Sequence, residues 1–481
     1  MNTRFRIVDL AVIFVYLAGV TWFGARFKDR QHSLKDYFLG GRTAPWWAIA
    51  LSIVSAETST LTIIGTPPLA YGGSFVFLQV VFGYLLARIV ISVIFLPQYF
   101  KGQLFTAYEL MQKRFGGRVR RVTAGIFLIT RSLAEGVRVF AISIVISIIL
   151  HTSGPASILV IIVVTVFYTF EGGMTAVIWT DVIQMGMYVL GAAVSFFVLL
   201  GRIPGGFSHV LEIAGPANKF RVFDFHWSWT YPYTFWAGII GGCFLTTASH
   251  GTDQLVVQRL LSAKTERESR LALLSSWLVI FIQFSLFLTI GVMLWVYRDG
   301  RIFQKDELDR LYPSFIWDAL PPVIAGLSMA AIIAAAMANL SAALNSLASA
   351  TVVDFYQPLT GSRHGAAHYL LVSRLSTVFW AAVLAAIGLV ASHWGSVLES
   401  GLSIASVTLG ILLGVFLLGI LTKRTGENAA ITGVVAGAAT MLYVKFGTAI
   451  PFTWWVLIGS GVTFGVGLLA SFCIKERKAP A

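Results

Sequence analysis

The stretch Trp46 to Tyr71, WWAIALSIVSAETSTLTIIGTPPLAY, decides the fold. It opens as a membrane helix, apolar from Trp46 to Val54. The pattern then fails, because Ser55, Glu57, Thr58, Ser59, Thr60 and Thr62 crowd together at bilayer depth. Small polar side chains offer the backbone competing hydrogen bonds and weaken a helix. A carboxylate such as Glu57 costs a few kcal/mol or more at the bilayer centre. Irregular backbone at that depth survives only inside protein or beside a water-filled cavity. Interrupted apolar segments are where membrane proteins build mid-bilayer ligand and ion sites. The plainer alternative is a kinked helix whose hydroxyls bond the preceding turn.

The composition agrees with a membrane reading. The chain has 481 residues, 57% hydrophobic and 12% charged, with mean hydropathy +0.79. Runs of about twenty apolar residues recur from end to end, which implies an all-α polytopic membrane protein in contact with lipid. The first run, Ile7 to Gly24, lacks a small-residue cleavage site and reads as a retained helix. The net charge of +13 does not point to nucleic acid, because the basic residues are spread over short loops between spans. Cys243 and Cys473 lie in apolar segments, so neither a disulfide framework nor a metal cluster is expected.

Thirteen spans can be counted, near 7–25, 45–65, 74–98, 122–150, 155–170, 176–201, 233–258, 270–297, 318–347, 368–391, 397–421, 428–446 and 452–473. Basic clusters follow the first span (Arg26, Lys28, Arg30, Lys35, Arg42), the third (Lys101, Lys113, Arg114, Arg118, Arg120, Arg121), the seventh (Arg259, Lys264, Arg267, Arg270) and the eleventh (Lys423, Arg424). Lys475, Arg477 and Lys478 end the chain. All fall on one side of a thirteen-span protein, which makes that side cytoplasmic, with the amino terminus outside. Arg4 and Arg6 oppose this weakly. The loops 202–232 and 298–317 fall outside, the second as a candidate surface helix.

The seventh span repeats the behaviour of the second. It starts apolar and turns polar at depth, through Thr246, Thr247, Ser249, His250, Gly251, Thr252, Asp253 and Gln254. Two interrupted helices five spans apart enter from opposite sides, as a 5+5 inverted repeat requires. The expected organisation is 1–44 for the first helix and its loop, 45–201 for the first repeat, and 202–232 for an external loop. The second repeat then covers 233–421, and 422–481 adds two helices and a short tail.

Other buried polar residues sharpen the picture. In the fourth span Arg131, Glu135 and Arg138 share one helical face and must point into the bundle. One carboxylate does not neutralise two guanidiniums, so either the surplus receives an anionic group or another buried acid, such as Glu57, completes an ion-pair network. Asp181 near the start of the sixth span is an ion ligand or a helix cap. In the ninth span the small residues of Ala330 to Ser349 suit close helix packing. Asn339 and Ser341 there are candidate oxygen ligands for a hard monovalent cation. Asn345 reads as an interhelical hydrogen bond, and His250 as a structural donor or a proton relay.

The run Tyr168-Thr-Phe-Glu-Gly-Gly-Met-Thr-Ala176, followed by Val177-Ile-Trp-Thr-Asp-Val-Ile-Gln184, resembles the sodium/solute symporter family. Further landmarks match in order: Asp36-Tyr-Phe-Leu-Gly-Gly-Arg42, Thr106-Ala-Tyr-Glu109 with Arg114-Phe-Gly116, Asp253-Gln with Gln258-Arg259, and Leu344-Asn345 with Asp354. The resemblance covers roughly residues 8 to 425. It implies a thirteen-helix transporter with the inverted-repeat core of leucine-transporter-like proteins, taking up a small organic solute with sodium by alternating access. It places one sodium among carbonyls of Ser55, Thr58 and Ala335 and a ninth-span pair that falls here on Ala338 and Asn339. Ala338 offers no side-chain oxygen, a departure from the family's hydroxyl pair. A second sodium held by some members would fall on Asp181 and Ser341, while Ala342 does not match. Glu57, Ser59, Thr60 and Thr62 correspond to positions lining the substrate cavity in relatives, and a fourth-span arginine, Arg131 or Arg138, to one that holds a carboxylate.

The expectation is therefore a secondary transporter of a bacterial inner membrane. A carboxylate-bearing or zwitterionic solute is expected, with Arg131 or Arg138 on its anion, Glu57 or Asp253 on any amine, and Glu135 and Gln254 as further substrate-site residues. Sodium is the expected coupling ion, and a proton on Glu57 or Glu135, or uncoupled transport, is the alternative. No other cofactor is expected. An enzyme is disfavoured because the eight histidines give no HExxH and no GxSxG precedes a helix. A sensor built on this fold would need a signalling domain, for which the tail after Ile474 is too short.

Overall fold

The computed structural model describes residues 7–26, 39–101, 107–168, 173–360 and 365–474. Residues 36–38, 106 and 169–172 of the sequence landmarks lie outside the described residues. So do Arg4, Arg6, Lys28, Arg30, Lys35, Lys475, Arg477 and Lys478. Every regular element among the described residues is helical.

The first span is α1 (Ile7–Ala25). The second is a bent pair, α2 (Trp46–Glu57) and α3 (Thr60–Gly72), turned by 67° at the break. Then come α4 (Phe75–Lys101), the short α5 (Ala107–Phe115), α6 (Gly117–Leu150), α7 (Gly154–Tyr168) and α8 (Gly173–Arg202). After the short α9 (Gly206–Ala214), the seventh span is interrupted between α10 (Gly242–Gly251) and α11 (Gln254–Leu261). The chain continues through α12 (Glu266–Tyr297), α13 (Lys305–Ala319) and α14 (Ile324–Leu359). It closes with α15 (Ala366–Ala391), α16 (Val397–Leu421), α17 (Glu427–Gly447) and α18 (Phe452–Cys473).

Nine of the described helices are long and apolar enough to cross a membrane, and the bent α2–α3 pair makes a tenth. Two shorter apolar helices, Ile7–Val20 and Gly154–Val166, and the interrupted α10–α11 pair complete the thirteen spans expected from the sequence. The protein is an all-α integral membrane protein.

Both breaks form where the sequence turns polar. Thr58 leaves the helical region (φ −81°, ψ 81°) and Ser59 is extended (φ −83°, ψ 171°) before α3 restarts. In the seventh span the chain breaks at Thr252 and Asp253, and the Asp253 carboxylate accepts from Leu255 N at 2.9 Å to cap α11. A capping carboxylate satisfies one of the orphan amides of a new helix start.

The ninth span departs from expectation at its start. It begins at Ile324 rather than near 318, because Pro321 and Pro322 separate it from α13 and proline cannot continue a helix. The helix expected in the loop 298–317 is α13, opened by a reciprocal Gln304–Glu307 capping box, but it is not a surface helix, because Leu311, Tyr312, Phe315, Ile316 and Trp317 are buried. The start of α14 is held instead by Asp9 of α1. Asp9 is fully buried, and its Oδ1 accepts from Val323 N at 2.8 Å and Gly326 N at 3.0 Å. An acid there meets both the free amides and the positive end of the helix dipole.

Close helix contacts are made through glycine. A Cβ on Gly83 of α4 would stand 2.6 Å from the carbonyl oxygen of Gly238, in the turn that leads into α10. A Cβ on Gly242 would meet the Val80 carbonyl oxygen. These two spans therefore touch backbone to backbone. Gly291 of α12 makes the same kind of approach to the Pro67 carbonyl of α3.

Candidate functional site

The two breaks face each other. Glu57, the last residue of α2, receives Arg88 Nη2 of α4 on its Oε2 at 2.6 Å. Arg88 is fully buried, and it also donates from Nε to Ser276 Oγ at 3.1 Å and from Nη1 to the Tyr84 carbonyl at 3.3 Å. His250, at the end of α10, places Nε2 3.3 Å from the same Glu57 oxygen, while its Nδ1 lies 2.9 Å from Ser249 Oγ. One carboxylate oxygen thus joins the third span to both interrupted helices. The sequence reading singled out Glu57 and missed Arg88. Its signal was available in Leu85-Leu86-Ala87-Arg88-Ile89-Val90, where a guanidinium in an apolar run must find a buried acid.

The rest of the first break is buried and polar. Thr58 and Gln283 of α12 exchange hydrogen bonds, with Gln283 Nε2 donating to Thr58 Oγ1 at 2.8 Å. Thr62 Oγ1 donates to the Glu57 carbonyl at 3.4 Å. Ser59 and Thr60 are buried, and the Thr60 hydroxyl has no partner among the described residues. A buried hydroxyl without a partner carries a desolvation cost that a bound polar group would remove.

The fourth-span cluster forms as its spacing implied. Arg131 Nη2 lies 3.0 Å from Glu135 Oε1, and Arg138 Nη1 pairs with the same oxygen. Glu135 is fully buried while its Oε2 has no partner among the described residues. Glu57 does not complete this network, being held by Arg88. Two guanidiniums therefore share one carboxylate oxygen, and both keep some exposure, 12% at Arg131 and 28% at Arg138. Around them α6 changes character. Residues 141–149 are all buried, whereas 121–134 are exposed or half-exposed on every face except at Ser132.

Asp181 is two turns inside α8, which starts at Gly173, so it does not cap that helix. Its Oδ2 accepts from Ser52 Oγ at 2.6 Å and from Arg259 Nη2 at 2.8 Å. Arg259, read from the sequence as a loop cation, is buried in α11 and also donates from Nε to Ser52 Oγ at 2.9 Å. Ser341 lies on α14, which packs against α8. Its hydroxyl is buried without a partner among the described residues. Ser55, Thr58 and Ala335 are buried, Asn339 is half-buried and Ala338 is exposed. Asn345 is exposed and makes no hydrogen bond among the described residues, so the expected interhelical bond is absent there. Asp253 is committed to capping α11, and Gln254 opens that helix half-buried.

Comparison with known proteins supplies the context for this geometry. The profile of the Sodium:solute symporter family matches residues 37–437. The sodium/sialic acid symporter SiaT of Proteus mirabilis is 29% identical over 466 residues, covering 95% of this chain and 93% of that protein. The human sodium/iodide cotransporter is 29% identical over 439 residues, covering 89% of this chain and 67% of the relative. Human sodium-coupled monocarboxylate transporter 1 is 29% identical over 426 residues, covering 87% and 70%. Among solved structures, a substrate-bound outward-open Na+-coupled sialic acid symporter superposes with a TM-score of 0.83 at 27% identity, covering 98% of this chain and 99% of that one.

Proposed function

Because this chain belongs to the sodium:solute symporter family, we propose that it carries a small carboxylate-bearing organic solute into the cell by alternating access, with sodium as the coupling ion. The family and the relatives above are transporters, not enzymes. The observation that carries the choice of solute is the pair Arg131 and Arg138 sharing one oxygen of the fully buried Glu135 while both keep some exposure. A planar guanidinium binds a carboxylate through two parallel hydrogen bonds, and the surplus positive charge calls for one anion. The relatives are named for sialic acid, monocarboxylates and iodide, all of them anions.

Ser59, Thr60 and Thr62 at the first break supply hydroxyls to the remainder of the solute. Glu57 and Asp253, the acids expected to receive an amine, are held by Arg88 and by the start of α11, which favours a solute that carries a carboxylate without an amine. Sodium is held at the first break by carbonyls of Ser55 and Thr58, by the Ala335 carbonyl and by Asn339, next to Ala338. A second sodium goes to Asp181 and Ser341. The orphaned Ser341 hydroxyl supports this, since a buried oxygen without a partner is what a ligand position looks like before its ion arrives. The units 45–201 and 233–421 form the two inverted repeats, in a bacterial inner membrane with the amino terminus outside and the carboxyl terminus cytoplasmic.

One observation favours a second reading. Ala338 stands where the family has a hydroxyl, so a site degenerate for sodium would leave proton-coupled or uncoupled transport through the same path. Uptake into proteoliposomes separates the two, using labelled N-acetylneuraminate, lactate, pyruvate and neutral sugars with either sodium or potassium outside. Sodium-dependent accumulation of a carboxylate supports the proposal. Accumulation only of an uncharged sugar, or carboxylate uptake indifferent to sodium, overturns the solute or the ion.

A further inference from the structure

We propose that the protein carries a separate binding site for a small organic ammonium ion, on the face of the long loops and apart from the solute site. The site is a cavity of about 210 Å³ lined by the end of α3, the start of α4, the loop segment Tyr231-Pro232-Tyr233 and the first turn of α16. Its only charged lining residue is Glu399. Glu399 Oε1 accepts from Tyr233 Oη at 2.7 Å, and Oε2 makes no hydrogen bond among the described residues. The Phe77, Tyr231 and Tyr233 rings complete the wall. Tyr233 stands edge-on to both others, with ring centroids 5.7 Å from Phe77 and 6.4 Å from Tyr231.

A carboxylate beside three aromatic rings, with no basic residue in the lining, selects for positive charge. The faces of the rings carry negative potential and attract cations, most strongly those that shed water easily. A sodium ion would find too little here, since hard cations need several oxygen ligands at short distance. A quaternary or alkylated ammonium suits the site better, because its methyl groups meet the apolar lining and the exposed Tyr231 ring while its charge meets one carboxylate. Size points the same way. The cavity falls below the 300–1,000 Å³ or so of pockets that hold drug-sized ligands, so the occupant has only a few carbon atoms. The Tyr233–Glu399 hydrogen bond orients the carboxylate and keeps its second oxygen available.

Isothermal titration calorimetry of the detergent-purified full chain with tetramethylammonium chloride tests this, against sodium chloride at equal ionic strength. Saturable heat is expected with tetramethylammonium only. Glu399→Gln is expected to weaken that affinity at least tenfold. Tyr231→Leu removes one exposed ring without touching the carboxylate and is expected to weaken it severalfold in a protein that still folds. Tyr233→Phe keeps ring and charge and is expected to retain binding. No saturable heat in the wild type, equal heat with sodium, or unchanged affinity in both Glu399→Gln and Tyr231→Leu overturns the proposal.

Discussion

Arg88 Nη2 and Glu57 Oε2 meet at 2.6 Å in the interior, joining the third span to the break in the second. Removing one member of a buried pair strands the other charge, which costs on the order of 3–5 kcal/mol. Arg88→Leu and Glu57→Leu should each lower the thermal unfolding midpoint sharply. The double variant, which leaves neither charge unpaired, should recover much of the loss. Unfolding of the purified proteins, followed by fluorescence, checks this. A double variant as unstable as the two losses combined would show that the pair is not coupled.

Asp9 accepts two backbone amides at the start of α14. Replacing a capping carboxylate with alanine costs about 1–2 kcal/mol. Asp9→Ala should therefore destabilise the protein by that order, while Asp9→Asn, which keeps an acceptor oxygen, should lose less. The two unfolding midpoints, compared under one condition, decide the matter.

Arg131 and Arg138 are proposed to hold the solute carboxylate. Loss of one charged, bidentate contact should raise KM about tenfold or more for the carboxylate solute, equivalent to about 1.4 kcal/mol. Arg131→Gln or Arg138→Gln should show this in proteoliposome uptake, with the larger effect marking the arginine that touches the solute. Unchanged KM in both variants would return the cluster to a purely structural role.

Ser341 gives a cleaner test of the ion. Its hydroxyl has no partner among the described residues, so Ser341→Ala removes an unsatisfied polar group and should leave stability without sodium nearly unchanged. If Ser341 is a ligand, the same change should reduce the rise in unfolding temperature that sodium produces over potassium. Binding to the folded state raises stability by mass action, about 2.7 kcal/mol at a hundredfold excess over Kd. An undiminished sodium effect in the variant would place the ion elsewhere.

The breaks were legible because the chain itself changes character at Ser55 to Thr62 and Thr246 to Gln254, and a membrane allows no other use for such segments. Spacing placed Arg131, Glu135 and Arg138 on one face, and there they share an oxygen. What one segment could not reveal was its partner. Glu57 read as an available acid because Arg88 lies a span away, and Asp181 read as a ligand or a cap because Arg259 and Ser52 come from other helices. The start of the ninth span was misplaced for a related reason. Hydropathy runs on through Phe315 and Trp317, and only the Pro321-Pro322 pair together with the Asp9 contact shows where the span begins.

The backbone contact of Gly83 with Gly238, and of Gly242 with Val80, leaves no side-chain layer between the third and seventh spans. Surfaces that slide past one another need such a layer to repack. These two spans therefore behave as a single plate, and a motion that carries one carries the other. A single added methyl group at Gly83 would wedge the plate apart rather than loosen it.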